Sequence, residues 1–339
     1  MAPDEPIDDA VALVVATSGS TGIPKGAMLS AAALRASATA THKCLGGPGS
    51  WLLALPPHHI AGIQVLLRSL AAGHEPTILD VTAGFDPAAL AAAIDSMPSG
   101  RRYTSLVPGQ LAKVLDDAAA TAALAAVDGV LVGAAATPNI LRDKAISAGI
   151  HMVRTYGMSE TCGGCVYDGV PLDGVDIALD DPNADGVGRV RLGGATVALG
   201  YRNRPDHPAF ARRGWFLTDD LGTIGDGVLA ITGRADEAIS SGGLTVLPQV
   251  VEAALISLPA IADCAVFGLP DERLGQRIVA ALVLAPGQST VSPETLRAAL
   301  SGTLPATSIP RQVFTLDALP LRGPGKVDRR ALAARYTPS

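Results

Sequence analysis

From residue 10 to about residue 155, short apolar runs alternate with longer stretches whose apolar residues recur at helical spacing. VALVV (11 to 15), SWLLAL (50 to 55), PTILD (76 to 80), YTSLV (103 to 107), DGVLVG (128 to 133) and HMVRTY (151 to 156) have the length and composition of strands. Between them, 59 to 72, 87 to 96, 109 to 126 and 138 to 148 carry helical periodicity. Pro87 and Pro138 sit near helix starts, where a missing N–H costs nothing. This alternation predicts an α/β domain with a mostly parallel sheet covered on both faces. Ligands of such sheets bind beyond the carboxyl ends of the strands. TSGSTGIPKG (17 to 26), GAAATP (133 to 138) and TYGMSE (155 to 160) each follow an expected strand, which places three loops on one rim.

After about residue 165 the pattern changes. VDIAL, GVGRVRLGG, TVALGY, GWFLTDD and GVLAITG are short alternating segments punctuated by Gly and Asp, as in a small antiparallel sheet or barrel appended to the first domain. GRADEAISSGG (233 to 243) lacks hydrophobic periodicity and is the candidate hinge. A helix (248 to 258), two strands (261 to 268 and 277 to 284), a helix (293 to 300) and a strand (311 to 316) follow. They suffice for an α+β domain of about 100 residues. The expected division is a large domain over 1 to 233 and a smaller mobile one over 234 to 339.

Charged residues make up 17% of the chain and the net charge is -6, which argues against a nucleic-acid surface. The longest apolar region, 51 to 72, is interrupted by Pro56, Pro57, His58, His59 and Arg68 and is no membrane span. The N-terminal MAPDEPIDDA is acidic and has no signal-peptide core. Four cysteines in 339 residues do not make a disulfide scaffold, so a cytoplasmic location is expected. Cys162 and Cys165 spell CxxC, but no second pair completes a zinc site, and the stretch reads as pocket wall.

The segment 17 to 26 holds four hydroxyls, three glycines and Lys25, one of only five lysines. Glycines let backbone N–H groups turn inward around an anion, Ser and Thr add donors, and lysine adds a point charge. The combination suits a polyphosphate. The order Pro24-Lys25-Gly26 differs from a Walker A loop, which ends in Gly-Lys-Ser/Thr.

TSGSTGIPKG resembles the phosphate-binding signature of the adenylate-forming enzymes: acyl-CoA synthetases, carrier-protein adenylation domains and luciferases. Tyr156-Gly-Met-Ser-Glu-Thr161, Leu217-Thr-Asp-Asp-Leu221, Gly233-Arg-Ala-Asp236 with Gly242-Gly243, and Pro320 to Arg329 around Lys326 are similar to that family's later motifs, in the same order. The resemblance implies ATP, Mg²⁺ and CoA as ligands, with a small-molecule acid as the other substrate. Thr17, Ser18, Gly19, Ser20, Thr21, Gly22 and Lys25 would hold phosphates. Gly133, Ala134 and Ala135 would line the adenine site, joined by Tyr156, Gly157, Ser159 and Thr161. Asp220 would hold the ribose with Arg234 beside it, and Glu160 would help hold Mg²⁺. Lys326 would be the catalytic cation, and Asp236 the hinge about which the small domain rotates. Gly242 and Gly243 would lie on the CoA side. His59, which the family pattern places at the mouth of the acyl pocket, would act there in catalysis and, with Gly157, Gly163 and Gly164, contact the acid. A homo-oligomer is compatible with all of this.

Within the family, SETCGGCVYDG (159 to 169), SLVPGQL (105 to 111) and LLRSL (66 to 70) most resemble the o-succinylbenzoate–CoA ligases of menaquinone biosynthesis. Gly163 and Gly164 would leave room for an aryl ring. The acid's second carboxylate needs donors, for which Arg68, Arg101, Arg102 and His59 are all candidates. Another aryl- or acyl-CoA ligase, or an enzyme loading a carrier protein, would use the same chemistry. A non-catalytic adenylate-binding protein is a third reading, against which the intact Lys326, Glu160 and Asp220 argue.

Overall fold

The computed structural model describes residues 5 to 17, 24 to 288, 290 to 321 and 326 to 337. Five of the expected early strands lie side by side in one seven-stranded sheet. Its order is Thr77–Ile78, Ser50–Leu53, Arg102–Leu106, Gly129–Val132, Met152–Met158, Gly163–Tyr167, Val170–Pro171. The first five run parallel, the sixth returns antiparallel, and the seventh pairs antiparallel with the sixth. Successive strand residues face opposite sides, so each strand feeds two cores. Trp51, Leu53, Tyr103 and Leu131 enter one, while Leu52, Leu106, Val130 and Val132 enter the other with Leu90, Ile94, Leu111 and Leu124 from the helices. This is the α/β architecture that the alternation predicts.

The segment VALVV is the exception. Val11–Thr17 pairs antiparallel with Lys25–Ser30, and Gly200–Tyr201 completes a separate three-stranded sheet. The 17 to 26 segment therefore does not follow a strand of the parallel sheet, and the expectation of three loops on one rim is not met. Only Gly200–Tyr201 of TVALGY is a strand, and it joins this sheet rather than its sequence neighbours. A helix at Ala31–Cys44, which the apolar spacing does not reveal because alanine dominates it, starts at Ser30, whose side chain accepts from Ala33 N. The stretch 109 to 126 is two helices, Pro108–Leu115 and Ala118–Ala125. Asp116 ends the first, and Asp117 caps the second by accepting from Ala120 N.

Val175–Asp180, Gly188–Gly194, Trp215–Gly225 and Val228–Arg234 form the appended four-stranded sheet in that order. Contacts divide the chain into two units. One comprises Met1–Pro182, Val190–Thr218 and Ile224–Ala230; the other comprises Asn183–Arg189, Asp219–Thr223 and Ile231–Ser339. The second unit has a five-stranded sheet in which Ile261–Asp271 and Gly275–Leu284 are the long central pair. Gln312–Thr315 joins Gly275–Leu284 in parallel. Helices Pro248–Ile256 and Pro293–Leu300 cover one core of this sheet through Val251, Leu255, Leu296 and Leu300. An unexpected terminal helix, Arg329–Tyr336, covers the other through Leu332, with Tyr336 stacked on Phe314. No helix among the described residues is long and apolar enough to cross a membrane.

Candidate active site

Ser18, Gly19, Ser20, Thr21 and Gly22 lie outside the described residues. The feet of their loop are described: Thr17 and Lys25 stand opposite each other as register partners. The second foot is clamped by the segment after Gly200. Gly26 N donates to Asn203 Oδ1 (3.0 Å), Asn203 Nδ2 donates to Pro24 O (2.9 Å) and Arg202 N donates to Gly26 O (2.8 Å). Lys25 Nζ lies 4.7 Å from the centroid of the Tyr201 ring, and the Tyr201 hydroxyl donates to Glu160 Oε1. Glu160 is buried. One tyrosine thus orders both the loop's lysine and the carboxylate expected to meet a metal. Sequence reasoning missed Tyr201. Its signal was an aromatic side chain after Gly200 in a chain with only five tyrosines.

Among the described residues no group of three or more His, Cys, Asp and Glu could hold an ion by itself. A single buried carboxylate fits Mg²⁺ carried on phosphates, because Mg²⁺ commonly takes one or two protein carboxylates and completes its shell with phosphate and water oxygens.

Gly133, Ala134 and Ala135 leave the carboxyl end of Gly129–Val132, beside the parallel strand Met152–Met158. Gly133 is required by packing, since a Cβ there would lie 2.3 Å from Thr155 Oγ1. Ala134 holds φ at +67°, a left-handed conformation that costs a non-glycine residue about 1–3 kcal/mol and is concentrated at functional sites. TYGMSE does not follow the strand as expected. Tyr156 and Gly157 are inside it, paired with Val166 and Gly164, because the antiparallel return extends the pairing past the parallel part. A Cβ on Gly157 would meet Gly163 O at 2.1 Å, so only glycine lets the two strands approach. Ser159 and Thr161 form a single 3₁₀ turn with Glu160, and Thr161 Oγ1 donates to Gly163 O. Gly164 packs toward Thr155, and Gly163 toward Ile60 and Gln64. Cys162 and Cys165 are buried free thiols in different core clusters, and burial pushes both up to about 12. Neither is poised as a thiolate.

The helix Ile60–Ala71 runs along the strand Gly163–Tyr167. His59 is its N-cap, ring-to-ring with the exposed His58 at 4.3 Å. Gln64 is 1% exposed, and neither its amide oxygen nor its nitrogen finds a partner among the described residues. One turn on, Arg68 is 3% exposed, and no carboxylate pairs with it among the described residues. Its Nη2 donates to the Tyr167 hydroxyl (3.4 Å), which lies 2.9 Å from Thr41 Oγ1. Its guanidinium also lies over the Trp51 ring at 5.1 Å. Burial lowers its pKa. Buried charges are normally paired, yet Arg68 has no counter-charge and Gln64 no hydrogen-bond partner among the described residues. Arg101 and Arg102, the other cationic candidates, are elsewhere: Arg102 donates to the carbonyls of Ile94 and Ala126, and Arg101 lies against Gly46 and Gly47.

In the second unit, Arg234 gathers the ribose and hinge candidates. Its Nη1 donates to Asp220 Oδ1 (2.9 Å), while Nε and Nη2 grip Asp236 Oδ1 and Oδ2 (2.9 and 3.0 Å). Asp220 is 7% exposed. Asp219, its neighbour, accepts instead from Arg189 Nη2. Segment 233 to 243, the candidate hinge, contains the strand Ile239–Ser241, which hairpins with Leu244–Val246. Gly242 and Gly243 form its two-residue turn at φ +59° and +79°, the pair of left-handed residues a type I′ turn demands. Lys326 is exposed, next to a bridge between Leu321 and Val327.

Asp220→Ala is expected to weaken ATP binding roughly tenfold or more, the equivalent of about 1.5–3 kcal/mol for a hydrogen bond to a charged group. Because Arg234 keeps its two bonds to Asp236, the variant should remain folded. Fluorescent-nucleotide titration reads the change, and unchanged affinity would move the ribose contact elsewhere.

The model of the family described as AMP-binding enzyme matches residues 1–202, and that of the AMP-binding enzyme C-terminal domain matches 250–326. The chain belongs to the AMP-binding enzyme family. It is 60% identical over 335 residues to a "Probable 2-succinylbenzoate--CoA ligase" of Mycobacterium tuberculosis, covering 98% of this chain and 86% of that one. Among solved structures, it is similar to the o-succinylbenzoate CoA synthetase of Bacillus subtilis in complex with the acyl-adenylate intermediate. That match has 28% identity and a TM-score of 0.82 over 96% of this chain and 69% of that one. The same Bacillus protein in complex with ATP and magnesium ion matches at 27% identity and TM-score 0.81, over 98% and 72%. The AMP-binding fold thus extends through both units, and the enzyme class is an acid–thiol ligase working through an adenylate.

Proposed function

We propose that this chain is a 2-succinylbenzoate–CoA ligase that activates the acid with ATP and transfers it to CoA. Arg68 carries the reading. It is a buried guanidinium without a carboxylate partner among the described residues, one helical turn from the unpartnered Gln64 and alongside the strand that starts at Gly163. A dicarboxylic acid whose aryl carboxylate meets Arg68 supplies the missing counter-charge, whereas a simple fatty acid leaves it bare. The 60% identity to a probable 2-succinylbenzoate–CoA ligase of Mycobacterium tuberculosis and the adenylate bound to the Bacillus enzyme support this choice of acid.

In the first step an oxygen of the succinyl carboxylate attacks the α-phosphorus of ATP and pyrophosphate leaves. Lys25 and the loop before it hold the phosphates, Asp220 the ribose, and Lys326 the two anions that must approach each other. Glu160 would hold Mg²⁺ on the phosphates, which would supply charge neutralisation. Acyl-adenylates hydrolyse, so water must be excluded until the second step. The small domain then rotates about Asp236, withdrawing Lys326 and bringing in the Gly242–Gly243 hairpin. The CoA thiolate attacks the acyl carbon, the acyl C–O bond to AMP breaks, and AMP leaves.

Pyrophosphate release measured with a panel of acids tests the assignment. 2-Succinylbenzoate is expected to exceed benzoate, phenylpropionate and octanoate at least tenfold in kcat/KM. Equal or better turnover of a monocarboxylic acid would contradict it.

A further inference from the structure

The second unit contains a half-buried charge cluster that none of the steps above uses. Arg329, the first residue of the terminal helix, is 18% exposed in its side chain, and its partners Glu237 and Glu252 are 14% and 15% exposed. Arg329 Nη2 donates to both oxygens of Glu252 (2.8 and 2.7 Å), Nη1 donates to Glu237 Oε2 (2.9 Å) and Nε donates to Val266 O (3.2 Å). Gln249 Nε2 adds a bond to the same Glu237 oxygen, and Val266 N donates to Glu252 Oε1. Burial pushes the Glu252 carboxyl up while Arg329 pulls it down. A planar guanidinium with several fixed donors suits such a three-way junction in a way lysine does not.

Sequence position gives the junction a meaning. Glu237 directly follows Asp236 and closes the Ala235–Glu237 turn, whereas Arg329 lies three residues after Lys326. Between them, the base of the lysine loop is fastened by the Leu321–Val327 bridge and by Asp328 N donating to Pro320 O. Asp328 also caps the helix that Arg329 begins. Glu252, on the helix Pro248–Ile256, gives Arg329 a fixed floor.

We infer that Arg329 is a positioning residue that fastens the hinge turn to the base of the Lys326 loop, so that the two move as one piece. This inference rests on the role assigned above to Lys326. It locates the pivot before Glu237, since Glu237, Glu252 and Val266 are all bonded to Arg329 at the start of the terminal helix. Slack at this junction would misplace Lys326, which a transition state requiring accurate placement does not tolerate.

Removing Arg329 outright would leave two half-buried carboxylates without their cation and threaten folding, so Glu237→Ala is the main test. It cuts the hinge arm and leaves the two-pronged bond to Glu252. Arg329→Lys, which keeps the charge and loses the fork, is the second variant. Both are expected to unfold cooperatively and to show amide exchange at 326 to 328 about fivefold faster than wild type. Acyl-adenylate formation should fall about tenfold in kcat with KM for ATP within about twofold. Thioester formation from supplied acyl-adenylate and CoA should stay within about twofold. Unchanged exchange at 326 to 328 overturns the inference, as does an unchanged first step despite faster exchange, or an equal fall in both steps. If wild-type protein forms no adenylate with any acid, the proposed function fails, and the exchange measurement alone decides the coupling.

Discussion

Lys326→Ala is expected to lower acyl-adenylate formation about 10²–10³-fold while thioester formation from supplied acyl-adenylate and CoA continues near the wild-type rate. The first step brings a carboxylate against a polyphosphate, and the attacking oxygen and the α-phosphate both carry negative charge. A cation placed where that charge concentrates is worth more in the transition state than in the ground state, so kcat should fall more than binding. The second step has no such encounter. Lys326 is exposed, next to a bridge made by backbone, so its side chain can be shortened without opening the core. A lysine serving only solubility would leave both steps intact, and one serving folding would damage both.

The second large effect is expected at Arg68. Arg68→Met should raise KM for 2-succinylbenzoate at least tenfold, consistent with about 1.5–3 kcal/mol for a charge-assisted hydrogen bond. It should barely change the KM for ATP. Stability should hold or rise, because an apolar side chain of similar length replaces a buried cation that no carboxylate offsets in the described residues. Loss of acid binding with an equal or higher Tm is the signature of a residue kept for its ligand. A fall in Tm with unchanged KM would instead make Arg68 a structural support for Trp51 and Tyr167, and would remove the chief support for the choice of acid.

The sequence made the parallel sheet legible because each of its parallel strands is a short apolar run, too short for a helix, set between longer stretches of helical spacing. It misled at VALVV, where nothing in the strand itself tells a parallel partner from a hairpin partner. The deciding fact is that KGAMLS returns as a strand. Alanine hid the helix Ala31–Cys44, since a residue acceptable on either face carries little periodicity. At the site, the motifs named Glu160, Asp220, Arg234 and Lys326 as single residues. Their supports were invisible, because Tyr201 reaches Glu160, and Arg329 reaches Glu237, across long sequence separations. Among four candidate cations for the acid, Arg68 alone is buried. Burial is a property of the helix's packing against the strand Gly163–Tyr167, which no spacing rule reports.

The route through an acyl-adenylate to the CoA thioester of 2-succinylbenzoate is tested most directly by following one oxygen atom. Protein supplied with MgATP, CoA and 2-succinylbenzoate labelled with ¹⁸O in its succinyl carboxylate should release AMP carrying a single ¹⁸O, in step with thioester and pyrophosphate. The attacking carboxylate oxygen remains on phosphorus when the thiolate displaces AMP. Label recovered in inorganic phosphate with ADP as co-product, or thioester formed with unlabelled AMP, would contradict the account.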